Sequence, residues 1–160
     1  MSQGPLPSLF GRFTAIFSEH KNMSGTLSSV GSMCDVLEAG LERLPGRIHP
    51  LELVVDLQGC LSTHFAVEEA DIYFGTIVLE QPYLAGRIAK LIAEHSLMLA
   101  IAARVRELAE VESWTALVAP TRALVAMLQK HELDESRLLQ EFLIGGSGPA
   151  VEGALNRHEH

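Results

Sequence analysis

The feature that most limits what this chain can become is a fourfold recurrence. Four segments, separated by Gly and Pro, carry apolar residues at alternating steps of three and four. Each of the four stripes also carries one histidine on its apolar face. The first reads Leu9, Phe13, Ile16, His20, Met23, Leu27, Val30, Cys34, Leu37, Leu41. The second reads Val54, Leu57, Leu61, His64, Glu68, Ile72, Gly75. The third reads Leu84, Ile88, Leu91, His95, Met98, Ala102, Val105, and the fourth Leu117, Leu124, Leu128, His131, Glu135, Leu138, Phe142. That spacing is the seam of a helix packed against other helices. Four such helices with short connections predict an all-α, up-down-up-down four-helix bundle.

Punctuation and composition agree. Aromatics are only 6% of the 160 residues, and Leu and Ala outnumber β-branched residues, which favours helix over strand. The length suits one core. The first helix is expected after Pro7, ending between Gly40 and Gly46 in the LPGRIHP turn. The second is expected to start near Pro50, where the missing N–H is not needed, and to end before Pro82. Pro120 either starts the regular part of the fourth helix or kinks it. Gly145 opens GGSGPAVEGALNRHEH, which reads as a flexible tail, so the expected division is a bundle over 1–144 and a tail over 145–160.

Charge and hydropathy exclude several classes. A formal charge of −8 argues against a nucleic-acid partner, because phosphate binding needs a basic surface. No stretch is apolar for long enough to span a bilayer. The start, MSQGPLPSLFGRFTAIF, carries one Arg and then turns amphipathic, unlike a secretory signal, so the cytoplasm is the expected location. Cys34 and Cys60 are too few for a disulfide framework and read as buried free thiols.

What interrupts the four stripes carries the chemistry. Two of the histidines are followed four residues later by a glutamate, His64 by Glu68 and His131 by Glu135. That interval puts both side chains on one helix face. Buried His and Glu are costly unless paired or bound to metal, so six of them converging in one core point to ligands. A lone core histidine is usually a hydrogen-bonded core residue; four on four stripes are not well explained that way. Imidazole and carboxylate suit iron, manganese or zinc. His20 and His64 are expected on one ion and His95 and His131 on the other. Glu68 and Glu135 are expected to span the pair, leaving room for an oxo or hydroxo bridge and one exogenous ligand. Distances along the helices place His64, His95 and His131 at similar depth. His20 lies well before Gly40, so the first helix either ends early or overruns its neighbour.

The runs EHKNM (19–23), HFAVEEADIYF (64–74), the pair EH (94–95) and HELDE (131–135) resemble the hemerythrin-like, or HHE cation-binding, domain family over roughly residues 9–143. The resemblance implies a four-helix bundle with a di-iron centre and the same six ligands: His20, His64, Glu68, His95, His131 and Glu135. The chain departs from the oxygen carriers of that family at one position. They have a second histidine four residues before the third-helix one, where this chain has Leu91, and Leu99 on the other side cannot ligate either. Glu69 and Tyr73 are candidates to complete or support the site, with a solvated neighbour and a rim aromatic as their ordinary readings. Glu94 is expected to face solvent or a neighbouring helix, and His49 to be a turn residue. His158 and His160 lie in the tail. Ferritin-like di-iron bundles use Glu-x-x-His pairs, which are absent here.

Two iron ions are therefore the expected cofactor, with manganese or zinc suited to the same donors. Three readings of function follow. The centre binds O2, NO or peroxide, or responds to iron or redox state. It is an enzyme with peroxidase, catalase-like, NO-reducing or ferrous-oxidising activity. Or the bundle is an interaction module stabilised by metal. A homodimer or a protein partner is compatible with all three.

Overall fold

The computed structural model describes residues 9–40 and 49–145, with side chains at all of these except 9–17, 19, 22, 71 and 72. The side chains of the stripe residues Leu9, Phe13, Ile16 and Ile72, together with Leu41, most of the LPGRIHP turn, and the tail beyond 145 with His158 and His160, lie outside what is described. Four long helices make the bundle: α1 (Leu9–Glu38), α2 (Pro50–Glu69), α4 (Ala85–Glu110) and α5 (Trp114–Gly145), with a short α3 (Thr76–Glu80) between the second and third. Each packs on two others around a ring: α1 on α2, α2 on α4, α4 on α5, and α5 on α1. The all-α bundle expected from the periodicity is the fold. Among the described residues, no helix is long and apolar enough to cross a membrane.

The stripes are the buried faces. All seven positions of the third and all seven of the fourth are buried, as are Met23, Leu27, Val30 and Cys34 of the first. Leu37 and Cys60 are only half-buried, so Cys60 is not the buried thiol its pattern suggested. The apolar core falls into two clusters. One contains Met23, Val30, Leu57, Phe65, Met98 and Leu128; the other contains Tyr73, Phe74, Ile77, Leu91, Leu138 and Phe142. The histidines and glutamates of the stripes lie between them.

The second segment departs from a single unbroken helix. Ala70 takes an extended conformation (φ −60°, ψ 140°), and Asp71–Gly75 then forms one wide, π-helical turn before α3. The break changes the phase of everything after Glu69. Gly75, expected on the inward stripe, is exposed, while Tyr73, Phe74 and Ile77 are buried instead. The chain reaches α4 through a tight turn at Pro82–Leu84.

The helix ends follow capping chemistry. His49 precedes α2 and its Nδ1 accepts from the Leu51 N–H, a use for the turn histidine that matches side-chain capping. Gly40, at φ +74°, closes α1 with its N–H on the Leu37 carbonyl. α1 therefore does run unbroken, and from His20 it extends about one turn further than α2 does from His64. Pro120 lies inside α5, and the neighbouring Thr121 hydroxyl donates to the Leu117 carbonyl at 2.7 Å.

The end of α4 uses the same motif with a less suitable residue. Ser113 N–H bonds Leu108 O and Glu112 N–H bonds Ala109 O, which puts Glu112 in the left-handed region at φ 54°. A side chain there is strained by about 1 kcal/mol, and Gly avoids it. Glu112→Gly is expected to raise stability by about 0.5–1 kcal/mol, the gain being reduced by the greater freedom of Gly in the unfolded chain. Urea unfolding of the two proteins measures the difference, and a loss of stability contradicts the strain.

Candidate metal centre

Glu68 is the centre of the site. It is fully buried, and its two oxygens face opposite ways. Oε1 lies 2.5 Å from His64 Nε2 and 3.7 Å from His20 Nε2. Oε2 lies 3.0 Å from His95 Nε2 and 3.9 Å from His131 Nε2. One carboxylate thus separates two pairs of imidazoles drawn from four helices. The i, i+4 step from His64 on α2 points Glu68 into the bundle, and the same step on α5 does so for His131 and Glu135.

Two sets of donor atoms result, each lying within 4.8 Å of one another: His20, His64, Glu68 and Glu135 in one, and Glu68, His95 and His131 in the other. The six stripe residues meet at one place, with His20 and His64 in one set and His95 and His131 in the other. The glutamates do not behave alike. Glu68 faces both sets. Glu135 belongs to the first alone: its Oε2 is 3.1 Å from His20 Nε2, and its Oε1 accepts a hydrogen bond of 2.5 Å from the Tyr73 hydroxyl.

The donor chemistry tests whether a cation fits. Among the described residues, His20 Nε2, His64 Nε2, both oxygens of Glu68 and Glu135 Oε2 are buried without a hydrogen-bond partner of acceptable geometry. His95 Nε2 and His131 Nε2 face each other at 3.1 Å. Their other nitrogens are committed. His95 Nδ1 meets Glu69 Oε1 at 2.7 Å, and His131 Nδ1 meets Glu94 Oε2 at 2.9 Å. A carboxylate only accepts, so each Nδ1 carries the proton and each Nε2 of a neutral ring presents a lone pair. Two lone pairs and a carboxylate oxygen then converge with no donor among them. A cation satisfies all three, which is how metal-bound histidines are held by outer carboxylates.

Glu69 and Glu94 thus hold the His95 and His131 rings in place. Glu69 does not point its oxygen at the metal site, and its side chain is 43% exposed. Glu94 does face a neighbouring helix, as expected, but its contact with His131 was not anticipated. The sequence signal is adjacency: each borders a core position, on the flank where a core histidine's second nitrogen emerges. Glu132 was also missed. Its Oε1 is buried and unpartnered among the described residues, and burial holds its carboxyl above the usual range against the pull of His20 and His64. Aromatic rings close the walls: Phe65 stacks on His95 with centroids 4.0 Å apart, and Phe74 lies 6.3 Å from the same ring.

Burial and charge act in opposition here. In the absence of a cation, burial works against ionising Glu68, but the hydrogen-bonding attraction of the four histidines outweighs it and holds the carboxyl far below the usual range. Burial works against protonating His20, and Glu135 and Glu68 outweigh it, pushing its pKa up to about 10. Burial, with the Glu135 charge, keeps the Tyr73 phenol protonated far above its usual range, so it donates to Glu135.

Two outcomes follow. In metal-free protein the folded-state pKa of His20 is raised above 6.5, so its stabilisation is complete below pH 6.5 and is lost as pH rises toward 10. Melting temperature should fall over that window in chelator-treated protein and not in metal-loaded protein, where a cation at His20 Nε2 would exclude the titrating proton; parallel melting curves would contradict it. Glu69→Gln and Glu94→Gln should each lower metal affinity about 10–100-fold with the fold retained, as read by competition with a chelator.

The model of the hemerythrin HHE cation-binding domain matches residues 14–143, the span that contains all six donors. No curated protein and no solved structure matches the chain. Most of the chain lies within that family match, and its helices, histidines and glutamates form the geometry just described, so the chain belongs to the hemerythrin HHE cation-binding domain family.

Proposed function

We propose that the chain is a non-haem di-iron protein that binds O2, NO or peroxide and reports on oxidant or iron supply. His20, His64, Glu68 and Glu135 would hold one ion, and Glu68, His95 and His131 the other. The observation that carries this reading is the inequality of the two donor sets, four groups against three, joined by one shared carboxylate. An iron with three protein donors keeps positions for an exogenous ligand. The histidine that oxygen carriers have on the third helix would fall at position 91, and Leu91 is buried in the apolar cluster beside the site.

When bound, an iron pair supplies one- and two-electron chemistry toward such small ligands. The protein's part is to bind and exclude. Glu68 offers an oxygen to each side. Glu69 and Glu94 fix the ring orientation of His95 and His131. Phe65, Tyr73 and Phe74 enclose the centre in apolar surface, which keeps bulk water from the donors. The protein's negative net charge is consistent with a partner other than nucleic acid.

Anaerobically purified protein should contain two irons per chain by elemental analysis, and its spectrum should gain ligand-to-metal charge-transfer absorption on exposure to air. Iron near zero, or a spectrum indifferent to air, overturns the reading. Glu68→Gln should lose both ions, whereas replacing His95 and His131 by Ala should leave one.

A further inference from the structure

Glu135 is the ligand candidate whose two oxygens have different fates. Oε2 faces His20 and has no hydrogen-bond partner among the described residues, whereas Oε1 receives the Tyr73 hydroxyl at 2.5 Å. The phenol reaches that oxygen because of the backbone. Ala70 breaks α2, and the wide turn Asp71–Gly75 carries Tyr73 inward, where it is 4% exposed. A helix continued from Glu69 in phase would have set residue 75 inward instead. The hydroxyl holds that carboxylate oxygen in a hydrogen bond, and among the described residues Glu135 is absent from the donor set of His95 and His131.

We infer that Tyr73 restrains Glu135 to one ion of the pair and thereby makes the ion at His95 and His131 the weakly held, exchangeable one. Tyr73 is a positioning residue that acts through Glu135. This inference rests on the two-ion reading above. It turns an inequality of donors into a division of labour: the ion at His20 and His64 stays, and the ion at His95 and His131 follows supply.

The test is anaerobic titration of the stripped, full-length chain with ferrous iron, followed by calorimetry. Wild type should show two classes of binding, one tight and one weak. Tyr73→Phe keeps the ring and removes the donor, which frees Glu135 Oε1 to span both ions. The weak class should tighten by about tenfold or more, and the two inequivalent iron signals in Mössbauer spectra should converge. A packing role for Tyr73 alone would lower melting temperature and leave the weak class where it was. Glu135→Gln gives an independent arm: only the tight class should weaken, because Glu135 does not serve the other ion. Two classes in wild type with the weak one unmoved by Tyr73→Phe, or both classes weakened by Glu135→Gln, overturns this inference and leaves the two-ion reading standing. A wild type that never takes up more than one equivalent overturns both.

Discussion

The rest of the structure depends on one buried carboxylate whose two oxygens face opposite pairs of imidazoles. A charge at the depth of Glu68 is untenable without compensation, and compensation on both sides requires four helices to deliver a histidine to the same level. That requirement sets the relative heights of the helices. It accounts for α1 running about a turn beyond the start of α2. Apolar packing fills the space above and below, but packing alone tolerates sliding, whereas a shared carboxylate does not.

The outer contacts extend the same logic to the surface. Glu69 and Glu94 are partly exposed, and each reaches the far nitrogen of a buried ring. They fix which nitrogen faces inward. Lys90 lies 3.8 Å from Glu94, so the charge state at the surface is linked through Glu94 to His131. The asymmetry between the two donor sets then has two sources: a leucine where a histidine could ligate, and a phenol that occupies one oxygen of Glu135.

Much of this was legible because core positions repeat. His20, His64, Glu68, His95, His131 and Glu135 stand out as polar interruptions of apolar periodicity, and periodicity is a local property that a sequence displays directly. The break at Ala70 was not legible. Alanine is a strong helix former and nothing around it punctuates the chain, so the wide turn is imposed by tertiary packing of Tyr73, Phe74 and Ile77. The end of α4 was obscure for a related reason, since Glu112 stands where Gly would announce the cap. Glu94 and Glu132 belong to helix flanks, where a charged residue is ordinary, and only the position of neighbouring helices gives Glu94 its partner and buries the Glu132 carboxyl.

The break after Glu69 also determines which changes of chain length the protein can absorb. Up to that residue, one inserted amino acid between His64 and Glu68 would turn the carboxylate by about 100° around its helix and remove it from the centre. Beyond Ala70 the path to α4 passes through a wide turn, a short helix and a tight turn, and none of these transmits the phase of α2. Insertions and deletions between residues 71 and 84 would reshape the apolar cap over the site while His64 and His95 kept their places. The segment is therefore where related chains can differ in length and in what they admit to the centre, with the donor set held constant.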